Sequence, residues 1–156
     1  MPIMKNLLLI LLVLLINTAV DAQSRTFKNA VSYNDFIVNL QDSIGRTFIK
    51  LNEIIGSDKV SKAEMKAASL QQLEKCKTVI KANISTLQKV NPFAKGEKLK
   101  SSAIDLFNYY YKTMDVHYRK IIELMSTDKY TEEMIKQLEE IEKTINVEEK
   151  VFDEAY

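Results

Sequence analysis

The chain carries 156 residues, with 22 basic and 21 acidic side chains, one histidine, one cysteine and no tryptophan. The net charge is close to neutral and an acidic last stretch compensates a basic middle one, so no nucleic-acid partner is expected. A lone cysteine excludes an intramolecular disulfide, and a single histidine beside it cannot complete a zinc site, so neither metal nor cofactor is expected.

Residues 1–22 read as a cleavable signal peptide. Lys5 supplies the positive start, Leu7 to Ile16 is unbroken apolar sequence, and Val20 and Ala22 put small side chains where a signal peptidase reads. The apolar run is half the length of about 20 residues that a membrane-crossing helix needs. Residues 23–156 are then an exported single domain without a stable membrane span.

The first helix is expected over about 28–55, with Tyr33, Ile37, Leu40, Ile44, Phe48, Leu51 and Ile55 on one stripe. Gly45 inside it costs about 1 kcal/mol relative to alanine and is expected to mark the close approach of a neighbouring helix. Gly56 is expected to end the helix in the left-handed conformation. A second helix, about 62–89, opens on a capping box made by Ser61 and Glu64, with Val60 and Met65 at the positions of a hydrophobic staple. Its stripe is Met65, Ser69, Leu73, Cys76, Ile80, Ile84 and Leu87, which suits Cys76 as a small buried hydrophobe, with a dimerising disulfide as the alternative. Asn91-Pro92 stops it, because proline pushes the preceding residue out of the α region.

The third helix, about 98–125, carries Leu99, Ala103, Leu106, Tyr110, Met114, His117, Ile121 and Leu124 on its inner face. Thr131, followed by Glu132 and Glu133, reads as the N-cap of a fourth helix over about 132–155. Met134, Leu138, Ile141, Ile145 and Phe152 form its stripe, with Glu148 in the slot between the last two. Four such helices with short connections most simply build an all-α, up-down-up-down antiparallel four-helix bundle behind the signal peptide. Residues 59–120 hold 13 basic and 5 acidic side chains and residues 121–156 hold 4 and 11, so oppositely charged helices are expected side by side.

Chemistry-bearing residues are few. His117, with Tyr110 and Glu148, is the one candidate polar pocket; it would suit a small ligand, or a haem completed by a methionine from another helix. The competing reading makes His117 a core histidine bonded to a tyrosine or to Glu148. Tyr109 and Tyr111 flank Tyr110 and suit a core boundary or a groove. Lys95, Lys98 and Lys100 crowd a helix start that would favour an anion, if they are not simply solvated. No nucleophile, base and orienting group fall into a catalytic set, so the chain is not expected to be an enzyme.

Asn91-Pro92-Phe93, followed by Ala103, Leu106, Tyr109-Tyr110, Tyr118, Glu148-Glu149 and Phe152-Asp153, resembles a family of uncharacterised secreted helical proteins of Bacteroidetes and leptospires, sometimes labelled surface proteins. The resemblance implies an exported all-helical domain, periplasmic or extracellular in a Gram-negative bacterium, and brings no catalytic residues. The sequence therefore points to a non-enzymatic binding or envelope-associated bundle with a protein or envelope partner. A small-ligand or haem carrier using His117 is the alternative.

Overall fold

The computed structural model describes residues 26–153, with side chains through Val151; the expected signal peptide and the Phe152 side chain lie outside the described residues. Among those residues the chain is helical and holds no strand. Helix α1 spans Ala30–Ile55 and α2 spans Lys62–Lys89. Helix α3, Glu97–Thr113, passes through a π turn, Met114–Tyr118, into α4, Arg119–Met125, making one rod. Helix α5 spans Glu132–Asp153.

Each start has a local cause. Asn29 Oδ1 accepts from the Ser32 amide at 2.8 Å, while Ser32 Oγ accepts from the Asn29 amide at 3.3 Å, a capping box that the sequence reading did not pick out. Ser61 and Glu64 make the expected box, with the Ser61 amide donating to Glu64 Oε2 at 2.9 Å. Val60 stays 47% exposed, so the hydrophobic staple does not close on Met65. Thr131 Oγ1 accepts from the Met134 amide at 3.2 Å and opens α5.

The glycines depart from expectation. Gly56 sits at φ −82°, in ordinary backbone space. The left-handed position is Ala94, at φ 46°, in the turn that follows Asn91-Pro92. A Cβ at Gly45 would meet nothing within 4 Å, so no helix approaches there. Close approach occurs at Gly96 instead, where a Cβ would lie 2.7 Å from the Tyr33 ring and 2.9 Å from Phe93 O.

Tyr33, Ile37, Ile44 and Leu51 of α1 pack with Leu73, Cys76, Ile80 and Leu87 of α2 in one core. Two polar residues join that seam. Gln72 Nε2 donates to Thr47 O at 3.1 Å, and Asn83 Nδ2 donates to Leu40 O and Ser43 Oγ, both at 2.8 Å. Such bonds offset the cost of burying an amide. The pairings run in opposite senses: later residues of α2 meet earlier residues of α1. Lys77 on Asp115, Glu74 on Arg119 and Lys62 on Tyr130 give the same relation between α2 and the α3–α4 rod.

The π turn widens the third stripe. A π turn closes i→i+5 bonds and so absorbs one residue more than an α turn. Met114 and Leu124 are buried and Ile121 packs against the core as the stripe requires, while Tyr118 and Ile122 join that face in addition. Tyr118 meets Phe48 edge-on at 4.6 Å between ring centroids. His117 is turned toward α5, where its Nε2 lies 3.7 Å from Glu148 Oε2.

Helix α5 presents its expected stripe, Met134, Leu138, Ile141 and Ile145, but each of these stays half-buried. The helix leans on the α3–α4 rod without closing against α1.

Candidate functional site

That incomplete closure leaves a cleft of about 590 Å³ between α1, α3 and α5, the size of a small-molecule site. Its α1 wall is Ile44, Gly45 and Phe48, its α3 wall is Tyr109, Tyr110 and Thr113, and Tyr118 and Ile145 close it. The walls follow from the sequence in different ways. Ile44 and Phe48 are stripe residues one turn apart. Gly45, between them, contributes no side chain and leaves the space open. Tyr118 arrives only because the π turn carries it inward.

The Tyr109 hydroxyl donates to Ile145 O at 3.1 Å and ties α5 to the floor of the cleft. Burial raises the Tyr109 phenol above its ordinary value; the nearby Thr113 hydroxyl opposes the rise, and the charges of Glu148 and Glu149 add to it. Thr113 is 3% exposed, and its Oγ1, though close enough to influence Tyr109, completes no hydrogen bond. Burial also raises the Tyr118 phenol, with Asn52 opposing and Glu149 reinforcing. At the rim stand Asp42, Arg46 and Glu149.

The three residues of the expected polar pocket do not gather in one place. His117 and Glu148 meet, and Glu148 Oε1 also lies 3.5 Å from Lys112 Nζ. Glu148 Oε2 is buried and makes no hydrogen bond. Tyr110 instead packs on Phe107 and Tyr109 and faces the cleft. His117 borders a separate shallow depression with Lys120, Gln137, Ile141 and Thr144.

Other candidates are occupied. Tyr111 lies beneath Lys77 and Lys81, 5.4 and 4.8 Å from its ring centroid. Lys100 donates to Val90 O at 2.8 Å and Gln88 O at 3.2 Å, capping the end of α2 rather than waiting for an anion. Cys76 is fully buried, donates to Thr47 O at 3.3 Å, and has its thiol pushed up by burial. Among the described residues, no three His, Cys, Asp or Glu side chains are placed to hold a metal, and no helix is long and apolar enough to cross a membrane.

Sequence reasoning singled out Gly45 for the opposite reason, passed over Thr113 and Asp42, and named Glu149 only within the family resemblance. Glycine on the flank of an apolar stripe, with aromatics on a facing helix, was the available signal. No family model, curated protein or solved structure matches the chain.

Proposed function

We propose that this chain is an exported, non-enzymatic binding protein of the envelope or its surroundings, and that it takes a ligand in the cleft between α1 and α5. The observation that carries this reading is the open space at Gly45. A mid-helix glycine gives up about 1 kcal/mol where alanine would meet no obstacle, and a seat for a ligand accounts for that sacrifice. Export rests on the signal-like residues 1–22 and on the resemblance to secreted helical proteins. The opposed pairings of α1 with α2, and of α2 with α4, support an up-down-up-down course.

Fluorescence of N-phenyl-1-naphthylamine, a neutral aromatic reporter, tests the cleft. Saturable enhancement is expected with the purified protein, and its loss is expected in Gly45→Leu at unchanged helicity. Equal enhancement in both proteins would refute the reading. For export, mass spectrometry of protein recovered from a Gram-negative host should find Gln23 at the N-terminus; a chain beginning at Met1 would contradict it.

A carrier built on His117 is the second reading, favoured by the buried, hydrogen-bond-free Glu148 Oε2 at 3.7 Å from Nε2. A Soret band in protein from the natural host would support its haem form, and a flat spectrum would remove it.

A further inference from the structure

We propose that the ligand of this cleft is an organic cation, an amine or quaternary ammonium carried on an apolar or aromatic body. The inference rests on the reading of the cleft as a binding site and adds the chemistry of what enters it. Phe48, Tyr109, Tyr110 and Tyr118 line the space. Aromatic faces are negative at their centres and attract a cation that sheds its water. Two carboxylates, Asp42 and Glu149, stand at the rim, and neither forms an ion pair with any described side chain. Arg46 shares the rim and is exposed, so the ionised lining carries a net charge of −1. The field of Glu149 reaches the interior, where it adds to burial in raising the Tyr109 and Tyr118 hydroxyls.

Thr113 also lines the cleft, and its buried Oγ1 completes no hydrogen bond. An anion would meet two carboxylates and one guanidinium. A neutral hydrocarbon would dry out those carboxylates, which costs affinity. A metal ion finds no cluster of ligands among the described residues. An organic cation uses the aromatic lining and both carboxylates.

The test is competition against bound N-phenyl-1-naphthylamine by three naphthalenes of one size, in low salt at pH 7. 1-Naphthylmethylamine is cationic, 1-naphthylmethanol neutral and 1-naphthoate anionic. The amine is expected to bind about tenfold more tightly than the alcohol, with the naphthoate weakest. In the double variant Asp42→Asn, Glu149→Gln, the amine should fall to within about twofold of the alcohol while the alcohol itself is unchanged, because only the charge has been removed. Arg46→Gln should tighten the amine. Equal binding of amine and alcohol, or tightest binding by naphthoate, would overturn the cationic ligand and leave the cleft standing. Failure of the reporter and all three competitors to bind would overturn both.

Discussion

A methyl group added at Gly45 would meet open space, whereas one added at Gly96 would press on Tyr33 and on the Phe93 carbonyl. Gly45→Ala should therefore stabilise the ligand-free protein by about 1 kcal/mol, and Gly96→Ala should destabilise it, both read from thermal unfolding. The reverse order would mean that α5 closes on α1 in solution. Titration adds a second check at this scale. Folded-state Cys76, Tyr33, Tyr109 and Tyr118 all titrate higher than their unfolded counterparts, chiefly through burial. The stability they contribute is complete below the unfolded values of 9.0 for the thiol and 10.0 for the phenols, and is lost as pH rises through the folded ones. The melting temperature should fall beyond pH 10, and Tyr118→Phe should fall less steeply; a parallel fall would show that Tyr118 is solvated. Residue identity revealed the apolar core readily. Gln72 and Asn83 escaped notice because a count of apolar positions cannot see an amide that finds a carbonyl across the seam.

At the scale of the helix, the apolar period located α1, α2 and α5 and most of the third rod, where it missed Tyr118 and Ile122. No glycine or proline announces the π turn at Met114–Tyr118; the side chains around it hold Asp115 against Lys77 at 2.5 Å and Arg119 at 3.5 Å. One residue of slippage there brings Tyr118 onto the inner face. Deleting Val116, which is exposed within the turn, restores α spacing from Met114 to Tyr118 and Ile122. The deletion should retain the fold at a cost within about 1 kcal/mol, measured by denaturant unfolding. Loss of cooperative unfolding would mean that the π turn itself is required. Helix α5, with an apolar face only half-covered, should exchange its amide protons well before α2 does; equal protection would show that its seam is closed.

Across the whole molecule, the sequence reading reached the all-helical architecture and four packed helices, because amphipathic period and capping are local properties. It did not reach the cleft. Periodicity says which face of α5 is apolar, and the same residues do face inward, but whether two faces meet depends on volumes contributed by three helices at once. At that seam Gly45 offers no side chain, Tyr118 lines the gap and Tyr109 ties Ile145 to the third rod.

The chain's 3 glycines supply the decisive reporter, since their amides fall in a sparse region of a ¹⁵N–¹H spectrum. On titration with 1-naphthylmethylamine, the Gly45 signal should shift saturably while Gly56 and Gly96 hold still. A spectrum in which Gly45 does not move, or in which all three move alike, would contradict a binding cleft between the first and last helices.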